Sequence, residues 1–179
     1  MEANSRHLKS VADLRRRLYE KARLWEKTGI PSRSRLVAEA GQIASWKKSC
    51  GIAGLWAQPP LMVAATLDDG FGHGLETIRL WAEAVGMRVH FLGLLQTPQQ
   101  ILAACRHLKP DLLGLTVLQF DTVDAVTEIA ESLPSGTRLV AGGPLFQADP
   151  DLARHTRIDF AARHVADFVL YLLDWKPDA

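Results

Sequence analysis

From residue 61 onward the sequence repeats one pattern, a short and continuously apolar run followed by a stretch of helical periodicity. The runs are LMVAATL (61–67), RVHFLG (88–93), DLLGLTVLQF (111–120), RLVAGG (138–143) and a weaker DFAAR (159–163). The helical stretches between and after them are LETIRLWAEAVG, a segment opened by TPQQI, VDAVTEIAESL and the closing VADFVLYLL. A strand apolar at every position is buried on both faces, and helices crossing over between parallel strands supply the cover. The chain is therefore expected to form an α/β domain built on a doubly wound, five-stranded parallel sheet. Right-handed crossovers favour the strand order 2-1-3-4-5.

Residues 1–57 are a different kind of sequence. Val11, Leu14, Leu18, Ala22 and Trp25 recur at spacings of three and four, which describes an amphipathic helix up to Lys27. GIP at 29–31 stops it, and Pro31 suits the first turn of a second helix. That helix carries Leu36, Val37, Ala40, Ile43, Ala44 and Trp46 and ends near Gly51. The expected organisation is a two-helix leader over 1–57 and an α/β domain over 58–179. The run RRR at 15–17 reads as a solvated helix face, and Trp25, Trp46 and Trp56 read as core or interface packing. A net charge of +1 gives no global attraction to nucleic acid or to an acidic membrane surface. No run approaches about 18 apolar residues, and MEANSRHLKS lacks the apolar core of a signal peptide, so a cytoplasmic protein is expected. Cys50 and Cys105 are too few for a disulfide framework or a zinc site, and both are expected to be small buried residues.

In this flavodoxin-like strand order, ligands bind beyond the carboxyl ends of the strands, where the order reverses between strands 1 and 3. Three segments reach that point: DDGFGHG (68–74), Thr116 to Gln119, and GGPLF (142–146). The glycines Gly70, Gly72 and Gly74 form G-x-G-x-G, not the G-x-G-x-x-G of a dinucleotide fold. There is no P-loop, and GGPLF offers no lysine to complete a phosphorylated receiver site. No nucleophile, base and orienting group fall together, so a cofactor-carrying or accessory subunit fits better than a self-sufficient enzyme. An acid–base pair of Asp69 and His73 is the weakest alternative. Gly142 and Gly143, with the glycines after strand 1, would let a bulky ligand approach the backbone, and Thr116 would offer a hydroxyl.

On these residues, from about Leu61 to Leu173, the chain resembles the cobalamin-binding domains of methylmalonyl-CoA mutase-type enzymes, methionine synthase, corrinoid methyl-transfer proteins and cobalamin photoreceptors. Asp69 and Gly74 stand at the outer fixed positions of that family's D-x-H-x-x-G, with Phe71 at the histidine. Gly114-Leu115-Thr116-Val117-Leu118 is similar to its G-[LV]-S-x-L, and Gly142-Gly143 to the GG that ends its fourth strand. GLLQTPQQI (93–101) looks like the mutase-branch opening of helix 2, and PDLLGLTV (110–117) is typical of the group. The resemblance implies a cobalamin or other corrinoid cofactor. It would be contacted by Asp69, Gly70, Phe71, Gly72, His73, Gly74, Thr116, Leu118, Gly142 and Gly143.

Two departures shape the expectation. In the family the motif histidine displaces the cofactor's base and becomes the lower axial ligand of cobalt. Phe71 cannot coordinate a metal, and His73 lies two residues out of register, a shift of several ångströms. Binding without histidine ligation is therefore expected. After strand 5 the family has a glycine-rich turn beside the nucleotide tail, whereas Ala161-Ala162-Arg163-His164 stands here and would narrow that slot. The leader has room for two helices where relatives commonly carry about four over the corrin, which makes it a candidate half-cap or homodimer contact. The functional expectation is a corrinoid-binding subunit working with a methyltransferase, mutase or radical enzyme in methyl transfer, rearrangement or sensing. Its alternative is a degenerate cobalamin domain that has lost the cofactor and serves as a regulatory or scaffolding partner.

Overall fold

The five apolar runs become β1 (Leu61–Thr66), β2 (Arg88–Gly93), β3 (Leu112–Thr116), β4 (Arg138–Gly142) and β5 (Phe160–Ala162). The computed structural model describes residues 2–68, 73–149 and 151–177, with residues 2–10, 120, 147 and 155 described by their backbone alone. All strand pairs are parallel and their order is β2-β1-β3-β4-β5, the order expected from the sequence. The helices are α1 (Glu2–Thr28), α2 (Arg33–Ser49), α3 (His73–Val85), α4 (Pro98–Leu108), α5 (Val123–Ser132), α6 (Pro144–Ala148), α7 (Leu152–His155) and α8 (Val165–Asp174). The TPQQ signal opens α4 through a reciprocal cap: Gln100 N donates to Thr97 Oγ1 at 3.2 Å and Thr97 N to Gln100 Oε1 at 2.8 Å. The helix after β4 was not foreseen. Pro144 stands at its first position, where a missing N–H is harmless.

Successive residues of a strand point to opposite faces, and the two faces have separate cores. Met62, Ala64, Leu112 and Val140 join the cluster under α1, α2, α3 and α8. Val63, Ala65, Leu113, Leu115, Leu139 and Ala141 join the cluster under α4 and α5. β2 lies at the sheet edge and is largely exposed, so its apolar sequence overstates its burial.

The leader packs into the first of these cores. Leu14, Leu18, Ala22 and Trp25 of α1 and Leu36, Ala40 and Ile43 of α2 share one cluster with Trp81 and Phe168. Trp25 meets Trp81 edge-on at 5.0 Å and 87°, and Trp56 meets Trp175 at 5.5 Å. The arginine run is more engaged than a solvated face would be. Arg15 Nη1 donates to Leu173 O, and the Arg17 guanidinium lies 4.4 Å over the Trp46 ring. Cys50 also departs from expectation: it caps the carboxyl end of α2 and is exposed. Cys105 is buried, and burial pushes its thiol up to about 11. Among the described residues no helix is long and apolar enough to cross a membrane.

Candidate functional site

Strand register sets the floor of the site. Thr66 pairs with Thr116, Thr116 with Gly142, and Gly142 with Ala162, so four strands end in one level row. Just past β1, the buried Asp68 ties this row together. Its Oδ2 accepts from Leu118 N at 2.6 Å, and its own N donates to Thr66 Oγ1 at 3.2 Å. The Thr66 hydroxyl donates in turn to Thr116 O at 2.7 Å. From the β2–α4 loop, Leu95 N reaches Asp68 O at 3.3 Å and Gln96 N reaches Thr66 O at 3.0 Å. The carboxyl ends of β1, β2 and β3 are thus stitched together.

Two glycines let the backbone close around this row. Gly143 adopts φ +125°, and a Cβ there would stand 2.2 Å from Val117 O, so no larger residue fits. Gly74 lies in the first turn of α3, where a Cβ would stand 2.9 Å from Thr116 Cγ2. The start of α3 therefore sits directly on the last residue of β3.

Between α2, α3, α8 and the carboxyl ends of β3, β4 and β5 lies a cavity of about 420 Å³. Leu36, Ile78, Leu115, Val140 and Phe168 give it apolar walls. Polar groups come from Arg33, His73, Thr77, Thr116, Arg163 and His164. The turn after β5 does bring Arg163 and His164 to the cavity wall. Both are held there by Asp167, in the first turn of the last helix. His164 Nδ1 accepts from Asp167 N at 3.3 Å, and the Asp167 carboxylate accepts from Arg163 N at 3.1 Å and Nε at 3.0 Å. Hydrogen bonding and Coulomb attraction from that carboxylate raise the Arg163 pKa.

Of the residues singled out in the sequence, His73, Gly74, Thr116, Gly142 and Gly143 meet around this one cavity. His73 is the first residue of α3, is exposed, and accepts at its carbonyl from Thr77 Oγ1 at 2.8 Å. Leu118 contributes its backbone amide to Asp68. Asp69, Gly70, Phe71 and Gly72 lie outside the described residues. Sequence reasoning gave Asp68 no role as the strap, although a carboxylate ending an apolar strand is a visible signal. It also missed Ile30, Arg33 and Leu36, which line the cavity from the leader. No local pattern marks them, because their position depends on how α2 packs. Among the described residues no three His, Cys, Asp or Glu side chains cluster to hold a metal ion. What the cavity offers is binding: apolar walls with a few polar groups that can fix orientation.

Residues 60–170, well over half the chain, match the family model described as B12 binding domain. A stretch of 75 residues, 42% of the chain, is 36% identical to ethylmalonyl-CoA mutase of Methylorubrum extorquens. That stretch spans only 11% of the mutase. Among solved structures, a cobalamin-binding protein from Desulfitobacterium hafniense superimposes with a TM-score of 0.79 at 17% identity, covering 98% of this chain and 87% of the other. The monomethylamine corrinoid protein of Methanosarcina barkeri gives 0.59 at 16% identity, with 75% and 62% covered. The methanol:cobalamin methyltransferase complex from the same organism gives 0.63 at 18% identity, with 94% and 68% covered. At these identities the superpositions speak for the fold.

Proposed function

The chain belongs to the B12-binding domain family, whose cofactor is cobalamin, and on that premise we infer that it carries cobalamin for a partner enzyme without placing a histidine on cobalt. Cobalamin joins a cobalt-bearing corrin ring to a nucleotide tail that ends in a flat aromatic base. The observation that carries the reading is the cavity of about 420 Å³ at the carboxyl ends of β3, β4 and β5. Its size falls within the range of about 300–1,000 Å³ usual for ligand pockets. Leu36, Ile78, Leu115, Val140 and Phe168 would take the base out of water, and Thr116 would meet the polar part of the tail. Phe71 stands where the family's ligating histidine would be and has no lone pair to offer. The exposed His73 belongs to the first turn of α3.

When bound, cobalamin supplies the reactive cobalt centre, and the residues of this chain bind it, orient it and keep water from its tail. The reaction itself is assigned to a partner of methyltransferase, mutase or radical-enzyme type. A methyltransferase complex and a mutase among the similar proteins support that assignment. The exposed Tyr19, Leu24 and Val37 on α1 and α2 are where a homodimer contact would form.

Titration with hydroxocobalamin, followed by visible spectra, tests the reading. Saturable binding at micromolar concentration or below is expected, with a base-displaced, water-ligated spectrum that His73→Ala leaves unchanged. Absence of binding would favour the regulatory or scaffolding module instead. A base-on spectrum of bound cofactor would take the tail out of the cavity.

A further inference from the structure

The cavity is more one-sided in charge than the chain around it. The whole chain has a net charge of +1, yet among the described residues no acidic side chain lines the cavity, while Arg33, Arg163, His73 and His164 do. Of the two arginines, Arg163 is engaged by Asp167 at 3.0 Å. Arg33 makes no hydrogen bond or ion pair among the described residues. The carboxylate whose ionisation it supports, Glu76, is already held by Arg79 at 2.6 Å. Arg33 is exposed and belongs to α2, with Leu36 one turn further along the same helix and also on the cavity wall. It lies outside residues 60–170, so it is not part of the region matched to the family.

We propose that Arg33 binds the phosphodiester of the cofactor's nucleotide tail and makes the leader a specificity element that selects corrinoids with a complete tail. This rests on the reading of the cavity as the tail's site. Apolar walls with a basic mouth fit a flat base tethered to a single anion, and within cobalamin that description applies to the nucleotide tail alone. A guanidinium suits the role because its planar fork meets two phosphate oxygens at once and remains charged at every physiological pH. Its exposure keeps the desolvation cost small and makes the contact sensitive to salt.

The test compares cobalamin with dicyanocobinamide, which has the corrin ring but no nucleotide, on wild-type protein, Arg33→Gln and Arg33→Lys. Equilibrium binding is read from visible spectra, and circular dichroism checks that each variant is folded. Arg33→Gln is expected to weaken cobalamin binding by about threefold to tenfold, with cobinamide binding unchanged. Arg33→Lys is expected to recover part of the loss, and the difference between wild type and Arg33→Gln should shrink as salt is raised. Equal effects on the two ligands, or no effect on cobalamin, overturn the proposal while leaving the cofactor reading in place. Wild-type protein that binds neither corrinoid overturns both.

Discussion

A phenyl ring has no lone pair, so Phe71 separates holding a corrinoid from ligating its cobalt. Position decides this more than composition does, since a histidine is present two residues away and opens α3 instead. Other single residues carry the geometry of the site. Asp68 accepts from the Leu118 amide at 2.6 Å and so ties the end of β1 to the residues just past β3. Gly143, just past the row, cannot be replaced without strain, because its φ of +125° and the nearby Val117 O leave no room for a Cβ. Gly143→Ala is expected to cost about 1–3 kcal/mol from strain, with more from displacement of β3. Urea unfolding of the cofactor-free protein measures that cost. A cost near zero would mean that this turn relaxes freely and does not shape the cavity.

At the scale of elements, the leader is bound to the sheet domain by packing, and its own two helices are joined by an ionic tie. Glu39 of α2 is buried, which opposes its charge, but hydrogen bonds from Lys21 at 2.7 Å and Arg35 at 2.8 Å outweigh this and hold its carboxyl below the ordinary range. The folded state therefore takes up this proton less readily than the unfolded chain. The tie is fully present above the ordinary carboxylate pKa of about 4.3 and fades as pH falls through the lowered value. Glu39→Gln is expected to be less stable than wild type at neutral pH, and the two should converge below about pH 4. Urea midpoints across that range provide the check, and a difference independent of pH would remove the tie from the account. The two leader helices were legible from their apolar spacing, but their consequence was not. α2 forms a wall of the cavity only because the turn at 29–32 folds it onto α3, and no local pattern encodes that contact.

For the whole molecule, strand–helix alternation anticipated a parallel sheet, and right-handed crossovers favoured the order 2-1-3-4-5 that it has. Its carboxyl edge, with Thr116, Gly142 and Gly143, was legible for the same reason, since topology alone locates the ligand side of such a sheet. Arg33, Leu36 and the strap through Asp68 were not legible as parts of the site, because they arise where distant segments meet. The molecule that results has a family domain over 60–170, with a leader that completes its cavity. Its central claim is that packing and polar contacts, not a protein ligand to cobalt, hold the cofactor. Electron paramagnetic resonance of the bound cob(II)alamin form, in protein grown with nitrogen-15 histidine, tests this directly. Wild-type protein is expected to show no axial coupling that responds to the label, while Phe71→His, which restores D-x-H-x-x-G, should gain one. A label-dependent coupling in wild type that disappears in His73→Ala would contradict the account.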